Sequence, residues 1–317
     1  MKKLWLVTGG AGFIGSTLCE KIIKENRVVV VDNFNRYYSP LWKKRNVSKI
    51  KNHSDYYLIK ADIRDENALK DIFSRFTIDG VIHLAAMAGV RPSIENPKLY
   101  TEVNVTGTTL LFEQMRKAQV KRLIFASSSS VYGNRTMGPF KETDNTDCQV
   151  SIYGATKKAG ELLCHVYASL YGINTIVLRF FTVYGPRNRP DMACYKFVKS
   201  ISEGRPLIKF GEGNTGRDYT YVDDTVDGIM KAMEVESRFE IINLGNAKPI
   251  LLNDVIKIME KEIGKKAIIN QLPLQQGDVG LTYADIEKAK RILKYQPKSD
   301  FRSGMEKLVN WYHMNQS

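Results

Sequence analysis

Short apolar runs alternate with longer amphipathic stretches through the first 250 residues. The apolar runs are rich in β-branched residues and predict strands over 4–8, 27–32, 56–62, 80–86, 122–127, 174–180 and 240–245. Helical periodicity occupies 13–25, 65–76, 97–118, 152–171 and 223–234. The strands are apolar throughout, as expected of strands covered on both faces. The pattern therefore predicts an α/β fold with a doubly wound parallel sheet.

The regular alternation ends near residue 183. Proline and glycine cluster in the loops after that point, and the stretches 190–222 and 265–317 do not continue the rhythm. We expect one large domain over 1–182, which 220–262 rejoins, and a smaller C-terminal α/β lobe over 183–219 and 263–317. The lobe should lie over the carboxyl edge of the sheet, where open α/β sheets bind ligands.

Composition is that of an ordinary soluble globular protein. The 317 residues are 43% hydrophobic and 26% charged, which argues against a disordered chain, a collagen or a disulfide knot. No stretch approaches the ~20 apolar residues of a membrane span. With no membrane anchor expected ahead of Met1, we expect a cytoplasmic protein without a membrane partner.

Cysteine and histidine positions indicate neither a disulfide framework nor a metal site. The cysteines, at 19, 148, 164 and 194, are irregularly spaced and include no C-x-x-C pair. The histidines, at 53, 83, 165 and 313, have no second ligand three or four residues away. We therefore expect free thiols in a reducing compartment, and no metal.

Basic residues outnumber acidic ones by 47 to 34, and the net charge is +13. Part of the excess is local, because Arg36–Lys51 holds six basic residues and no acidic one. Such a segment is typical of a solvated face or of a field that attracts an anionic substrate, and a polyanion surface is the alternative. No zinc-finger spacing or RNA-binding aromatic signature accompanies it, so we expect no nucleic-acid partner.

A glycine-rich turn follows the first predicted strand and opens the first predicted helix. Gly9, Gly12 and Gly15 are spaced G-x-x-G-x-x-G, which allows a tight turn, the approach of a pyrophosphate to backbone amides, and close helix packing, respectively. Asp32 ends the second strand, where a carboxylate binds an adenine ribose and repels the 2′-phosphate of NADP. The pattern favours NAD, with a purely structural turn as the alternative. Asp62, after the third strand, is either an adenine contact or a helix N-cap.

Tyr153 and Lys157 lie four residues apart on one face of a predicted helix. An ammonium beside a phenol favours the phenolate, and such a tyrosine can exchange a proton with a sugar hydroxyl while the attached carbon gives a hydride to NAD. Ser128 lies in the serine run 127–130 that ends the fifth strand, at the ligand edge. Its hydroxyl can join the proton path; for Ser127 and Ser130, serines that only satisfy backbone amides are the alternative.

Together these motifs resemble those of the extended short-chain dehydrogenases/reductases, and among them the NAD-dependent nucleotide-sugar epimerases and dehydratases. His-Leu-Ala-Ala over 83–86 and Asn-Val-Thr-Gly-Thr over 104–108 add to the resemblance, which covers essentially the whole chain. It implies a Rossmann domain that holds NAD, a C-terminal lobe that holds a nucleotide sugar, and a homodimer joined through helices near 97–118 and 152–171. The implied NAD contacts are Gly9, Gly12, Phe13, Ile14, Gly15, Asp32, Asn33, Asp62, Ile63, Leu84, Ala85, Ala86, Tyr153 and Lys157.

The end of the fifth strand narrows the reaction that the resemblance implies. The family's 4,6-dehydratases carry an Asp-Glu pair where Ser129 and Ser130 stand. Its UDP-glucuronate decarboxylases carry a glutamate after this strand, and the serine run of this chain has none. Without a second acid or base, removal and return of a hydride at carbon 4 is the simplest complete chemistry. The resemblance therefore implies a 4-epimerase with Tyr153, Lys157 and Ser128 as its catalytic residues.

Four segments, 86–93, 180–186, 189–193 and 275–279, are similar to those of UDP-glucuronate 4-epimerases. UDP-galactose 4-epimerases usually have an asparagine where Thr182 stands and an arginine where Gln275 stands. A uronate carboxylate needs donors, and a guanidinium suits phosphate oxygens. The predicted substrate contacts are Arg91, Ser127, Ser128, Ser129 and Thr182 for the carboxylate, Lys196, Arg217 and Asp278 for UDP, and Arg189. A phosphate or surface arginine is the alternative for Arg91, and a turn residue for Asp278.

Two other functions stay open. One is a 4-epimerase of a neutral or N-acetylated UDP-hexose, which differs in whether the substrate needs a carboxylate. The other is a non-catalytic NAD-binding or RNA-binding protein of the same fold. The basic segment Arg36–Lys51 motivates this last reading, and Tyr153 with Lys157 argues against it.

Overall fold

The computed structural model describes residues 2–135, 138–273 and 280–315, which form two compact units. The first unit comprises Met1–Gly133, Thr143–Phe180 and Val226–Ile242. The second comprises Asn134–Glu142, Phe181–Thr225 and Asn243–Ser317. The stretch 220–262, which the sequence predicts to rejoin the large domain, is therefore shared between the two units.

Strands and helices alternate through most of the chain. The strands are β1 (Leu4–Thr8), β2 (Arg27–Asp32), β3 (Tyr56–Lys60), β4 (Gly80–His83), β5 (Arg122–Ser128), β6 (Asn174–Phe180), β7 (Thr182–Tyr184), β8 (Pro206–Phe210), β9 (Gly216–Tyr221), β10 (Phe239–Leu244), β11 (Pro249–Leu251), β12 (Ile268–Leu272) and β13 (Leu281–Thr282). The helices are α1 (Phe13–Ile22), α2 (Pro40–Val47), α3 (Glu66–Arg75), α4 (Val90–Glu95), α5 (Pro97–Thr101), α6 (Thr108–Lys117), α7 (Ile152–Tyr171), α8 (Ala193–Glu203), α9 (Val222–Ala232), α10 (Leu252–Ile263), α11 (Glu287–Leu293) and α12 (Phe301–Met314). A π-helix, Glu102–Gly107, joins α5 to α6, and a 3₁₀-helix, Ser129–Tyr132, follows β5.

The large sheet has seven strands in the order β10-β6-β5-β4-β1-β2-β3. The pairs β1–β2, β2–β3, β1–β4, β4–β5 and β5–β6 are parallel. This confirms the predicted doubly wound α/β fold. The strand order reverses between β1 and β4, and such a switch point opens a crevice at the carboxyl edge where ligands bind.

The core of the first unit lies between this sheet and the helices that cover it. All five residues of β1 are buried, and so are five of the six in β2, which explains their unbroken apolar character. One continuous cluster joins strand residues such as Leu6 and Val81 to helix residues such as Leu111 and Met115. The sheet is therefore a rigid platform, and the loops after its strands can be placed accurately.

The second unit is built around a small mixed sheet. β9 pairs in parallel with β7 and β13 and antiparallel with β11, while β8 pairs in parallel with β12. Helix α10 packs against α8 and α12. These contacts hold β11 and α10 in the second unit, although the sequence predicts that they rejoin the first domain.

None of the described helices combines the length and the apolar character needed to cross a membrane.

Candidate active site

The glycine turn between β1 and α1 is closely packed at two of its three glycines. Gly9 has a φ of +72°, and a Cβ there would lie 2.8 Å from the backbone nitrogen of Ala85, which follows β4. A Cβ on Gly15 would collide with the carbonyl oxygen of Gly9. At Gly12, the one described atom within 4 Å of a Cβ would be the Gly9 carbonyl oxygen, at 3.2 Å. Gly12 therefore leaves space at the start of α1, where an anion can reach backbone amides.

Asp32 at the end of β2 points its carboxylate toward this turn. Its Oδ2 accepts from the Ala11 amide at 3.2 Å and its Oδ1 from the Phe34 amide at 2.8 Å. Lys43 of α2 places Nζ 3.4 Å from Asp32 Oδ1 and 3.1 Å from Asn35 Oδ1. The prediction of a solvated face for the basic segment is wrong for Lys43, which is buried. It was missed as a site residue because the sequence gives no sign of α2.

Asp62 lies just after β3 and is held by its neighbours. Asn33 Nδ2 donates to its Oδ2 at 2.8 Å, and Arg64 donates to both oxygens, from Nε at 3.0 Å and from Nη2 at 2.9 Å. The hydrogen bond from Arg64 holds the pKa of Asp62 at about 2. The N-cap of α3 is Asp65, whose Oδ1 accepts from the Ala68 amide at 3.0 Å. The N-cap alternative for Asp62 is therefore excluded.

Several predicted cofactor contacts share one apolar cluster. Ile63, Met87, Tyr100 and Val103 are buried together, and Ala85 and Tyr153 pack against them. Leu84, which precedes Ala85, donates its amide to the Thr8 carbonyl at 3.2 Å. The structure thus brings the ends of β1, β3 and β4 together with the predicted catalytic tyrosine.

Tyr153 and Lys157 occupy the first two turns of α7. The side chain of the N-cap, Ser151, accepts from the Gly154 amide at 3.0 Å, and the Tyr153 amide donates to Ser93 Oγ of α4 at 3.1 Å. Lys157 is buried, and its Nζ donates to the carbonyl of Ala126 in β5 at 2.8 Å. Burial lowers the pKa of Lys157 to about 8, while Cys164 and Glu161 act in the opposite direction.

The serines at the end of β5 differ in what they can offer a ligand. Ser128, two residues beyond the carbonyl that binds Lys157, is half-buried, and its Oγ accepts from the Ser130 amide at 3.1 Å. Ser129 is also half-buried. Ser127 is buried, and its hydroxyl donates to Glu161 Oε1 at 2.5 Å. The prediction of Ser127 as a substrate donor is therefore not supported, whereas Ser128 and Ser129 stay candidates.

His83 is a buried link and not a base. Its Nδ1 lies 2.7 Å from Thr8 Oγ1 and its Nε2 lies 2.9 Å from Thr108 Oγ1. Because Thr108 already donates to the Asn104 carbonyl at 2.7 Å, Nε2 carries the ring proton and Nδ1 accepts from Thr8. Burial, with Lys157 nearby, lowers the pKa of His83 to about 3. The neutral ring therefore ties β1 to the start of α6.

Asn104 extends this network to the catalytic helix. Its Oδ1 accepts from the Met87 amide at 2.8 Å, and its Nδ2 donates to the Met87 carbonyl at 2.9 Å and to Thr156 Oγ1 at 3.0 Å. Asn104 lies in the π-helix, a form often found at functional sites. The sequence predicts one continuous helix over 97–118, because the apolar period alone does not reveal a π turn.

The remaining substrate candidates fall in different parts of the chain. Arg91 is exposed on α4 in the first unit. Thr182 is half-buried in β7 and Lys196 is exposed on α8, both in the second unit. Arg189 donates from Nε and Nη2 to the two oxygens of Asp191, at 3.0 and 2.7 Å. Arg217 donates to the Gly216 carbonyl at 2.8 Å. Asp278 and the segment 275–279 lie outside the described residues.

Two carboxylates of β9 and α9 accept backbone hydrogen bonds from loops of the second unit. Asp218 accepts from the amides of Asn246, Ala247 and Ala284 at 2.7, 3.0 and 3.0 Å. Asp224 accepts from the amides of Lys298 and Ser299, both at 3.0 Å. Asp218 and Asp224 therefore tie three loops of the second unit, at 246–247, 284 and 298–299, to the segment 218–224.

The residues of the first unit fit a dinucleotide. The space at Gly12 suits a pyrophosphate, the fixed carboxylate of Asp32 suits a ribose, and Ile63 with Ala85 offers an apolar surface. In the described part of the chain, no group of three His, Cys, Asp or Glu residues could hold a metal ion. The fold and site define a Rossmann-type, dinucleotide-dependent enzyme of the short-chain dehydrogenase/reductase kind.

Comparison with known proteins narrows this class. Residues 5–245 match the NAD dependent epimerase/dehydratase family, and the chain belongs to that family. It is 44% identical over 313 residues to a UDP-glucuronate 4-epimerase from Thermodesulfobacterium geofontis. That alignment covers 98% of this chain and 96% of the relative.

Solved structures give the same family with two kinds of sugar. The fold is similar to the UDP-glucuronic acid 4-epimerase of Bacillus cereus, solved with UDP-glucuronic acid and NAD (TM-score 0.93, 37% identity, 98% of this chain and 99% of that one). It is also similar to the UDP-glucose 4-epimerase of Thermotoga maritima, solved with UDP-glucose (TM-score 0.92, 31% identity, 99% and 100%). The protein is thus an NAD-dependent epimerase by family.

Proposed function

We propose that the protein interconverts UDP-glucuronate and UDP-galacturonate by 4-epimerisation with tightly bound NAD. The observation that carries the proposal is the geometry of α7, where Lys157 is bound to the end of β5 one turn beyond Tyr153. The names of the relatives from T. geofontis and B. cereus support a uronate substrate.

NAD, when bound, accepts a hydride from the sugar and later returns it. The chain supplies the binding groups for it. The turn at Gly12 would hold the pyrophosphate, Asp32 and Asn33 the ribose, and Asp62 with Ile63 the adenine. The other contacts come from the glycine turn and from the strand after it: Gly9, Phe13, Ile14, Gly15, Leu84, Ala85 and Ala86.

Tyr153 moves the proton in this scheme. As a phenolate it takes the proton from the 4-hydroxyl while carbon 4 loses its hydride, and it returns the proton when the ketone is reduced. Between the two steps the 4-keto sugar rotates in the site, so the hydride returns to the opposite face of carbon 4. Lys157 stabilises the phenolate, and the hydroxyl of Ser128 joins the proton path.

The uronate adds a demand that a neutral sugar lacks. Its 4-keto form is a β-keto acid, which loses carbon dioxide readily unless the bond to the carboxylate is held in the plane of the ketone. We assign Arg91, Ser128, Ser129 and Thr182 as donors to that carboxylate. Arg189, Lys196, Arg217 and Asp278 are assigned to the rest of the nucleotide sugar.

The direct test is incubation of the purified protein with UDP-glucuronate, without added NAD, followed by proton NMR. The proposal expects UDP-galacturonate to form, and no product from a Tyr153→Phe variant that carries the same amount of NAD. Turnover of UDP-glucose or an N-acetylated analogue, but not of UDP-glucuronate, would favour the neutral-sugar alternative. The similarity to the UDP-glucose 4-epimerase of T. maritima motivates that comparison.

We propose a homodimer that uses α7. Leu162, Val166 and Leu170 are 58%, 44% and 67% exposed and lie at spacings of four residues, so they form an apolar stripe along one face of this helix. Light scattering should give twice the chain mass, and Val166→Glu should halve it. Leu41→Glu, at another exposed apolar position, is the control that should leave the mass unchanged.

We also propose a cytoplasmic location. Cys19, Cys164 and Cys194 are buried and free, and Cys148 is exposed and free, as expected in a reducing compartment. Cells of the native host can be fractionated and the protein detected in each fraction with an antibody against it, which tests this location.

A further inference from the structure

A buried ion pair lies one helical turn beyond Lys157. Glu161 of α7 and Arg179 of β6 are 2% and 1% exposed, and the guanidinium donates from Nε and Nη2 to the two carboxylate oxygens, both at 2.8 Å. Ser127 of β5 donates to the same carboxylate. Glu161 therefore joins α7 to β5 and β6. It lies four residues from Lys157, and its partner Ser127 directly precedes Ser128.

An ion pair is a costly way to join three elements. Removing both charges from water offsets much of their attraction, and apolar side chains of similar size often stabilise a fold equally well. The Tyr132 ring already packs against Arg179, with the guanidinium carbon 4.8 Å from its centroid, so an apolar contact surface exists at this place. The charge of Glu161 thus calls for a function beyond packing.

The surroundings of Lys157 indicate that function. The groups that face it come from α7, β4 and β5, and they are Tyr153, Glu161, Cys164, His83, the Phe125 ring and the Ala126 carbonyl. His83 is neutral, since burial lowers its pKa to about 3, and burial raises the pKa of the Cys164 thiol, which is therefore neutral as well. Apart from the Tyr153 phenolate of the proposed reaction, Glu161 is the negative charge among these groups, and it opposes the loss of the Lys157 proton.

We propose that Glu161 and Arg179 form a positioning pair for proton transfer, which keeps Lys157 cationic and fixes it against the strand that carries Ser128. Tyr153, Lys157 and Glu161 recur every four residues on one face of α7, so a carboxylate at 161 is as well placed for Lys157 as Lys157 is for Tyr153. Arg179 keeps the carboxylate in place in a dry environment. This inference deepens the proposed function and rests on it.

Three variants test the pair. Glu161→Gln removes the charge but leaves Arg179 buried without its partner, so we expect a less stable protein. Glu161→Gln/Arg179→Met removes both charges and should regain most of that stability. In Glu161→Gln the alkaline limb of the kcat–pH profile should move to lower pH by about one unit, the effect of one charge at ~6 Å in a medium of intermediate dielectric. The double variant also loses the opposing charge of Arg179, so its limb should move in the same direction but by less. Ser127→Ala, which removes the hydrogen bond but no charge, should leave the limb in place.

A second readout needs no sugar. Burial lowers the pKa of Lys157 from 10.5 to about 8, so between these values the unfolded chain holds a proton that the folded chain lacks, and stability rises with pH. The difference in unfolding midpoint between each protein and its Lys157→Met counterpart isolates this rise. It should begin near pH 8 in the parent and at a lower pH in the double variant.

The two readouts separate the possible failures. If the double variant regains stability and keeps the parent's alkaline limb and the parent's stability rise, the pair is structural only and the inference is overturned. If the parent turns over no UDP-sugar, the proposed function fails, and the stability titration alone decides whether Glu161 holds the charge of Lys157. A rise that begins at the same pH in both proteins would then refute the pair's assigned role.

Discussion

Gly12 and Gly15 give a matched pair of substitutions that separates cofactor binding from folding. A methyl group on Gly15 would collide with the Gly9 carbonyl and lie 2.7 Å from Gly10 Cα, and backbone atoms cannot move aside cheaply. A methyl group on Gly12 would meet the Gly9 carbonyl at 3.2 Å and would otherwise fill space. The same added atom should therefore harm the fold at position 15 and the ligand site at position 12.

The magnitudes follow from these contacts. Overpacking against fixed backbone at Gly15 should cost about 3 kcal/mol of unfolding free energy, the upper end for added carbon atoms in a packed interior. At Gly12 the fold should lose less than about 1 kcal/mol. The added methyl would separate the pyrophosphate from the turn's amides, and losing two charge-assisted hydrogen bonds costs about 3 kcal/mol, or roughly a hundredfold in Kd.

The assay measures the two effects on separate samples. NAD released on denaturation is counted per chain for the purified proteins, and NAD is then titrated into stripped protein by calorimetry. Unfolding is followed on the stripped proteins, because bound NAD itself raises the midpoint. A Gly12→Ala protein that retains NAD with the parent's affinity would refute the assignment of the pyrophosphate to this turn. A Gly15→Ala protein as stable as the parent would refute the packing argument.

Three further outcomes are expected. In Lys157→Met, kcat should fall by at least about a hundredfold. In the parent, kcat should decline as the pH rises through about 8, where Lys157 loses its proton, and a kcat that stays constant to higher pH would contradict the role of the Lys157 ammonium. Asp32→Ser should leave the Lys43 ammonium free to attract the 2′-phosphate of NADP. The ratio of the NADP to the NAD dissociation constant, measured by calorimetric titration, should therefore shrink at least about tenfold. Adding Lys43→Met should abolish the gain in NADP affinity. Arg91→Ala should raise the KM for UDP-glucuronate or the share of decarboxylated pentose product seen by NMR. A variant with neither change would refute the role of Arg91 as a donor to the carboxylate.

Local patterns were sufficient for the elements that are apolar throughout. β1, β2 and β6 begin and end at the predicted residues, and so does α7. These elements are long or fully covered, so their own residues specify them. The short helix α2 was not predicted, because Pro40–Val47 is polar and carries no strong apolar period. The π-helix is not predicted for a related reason, since the Asn104 side chain inside it is held by Met87 and Thr156, which are distant in sequence.

The site residues divide along the same line. Tyr153, Lys157, Ser128 and the glycines belong to short motifs, in which spacing alone predicts a shared face or turn. Glu161 continues the spacing of Tyr153 and Lys157, so the signal was present, but its function depends on Arg179, which β6 brings to it. Ser127 shows the converse error, because a strand-end serine was predicted to meet a ligand and instead meets a buried carboxylate.

The cofactor end of the first unit shows why such partners matter. Asp32 and Asp62 are suited to bind hydroxyl and amine groups of an adenosine, yet two carboxylates near a pyrophosphate would repel its negative charge. Each is paired with a cation, Asp32 with Lys43 and Asp62 with Arg64, at 3.4 and 2.9 Å. The two cations offset the negative field of these carboxylates. The motif supplies the carboxylates, and the fold supplies the cations that would let them stand beside the proposed anionic cofactor.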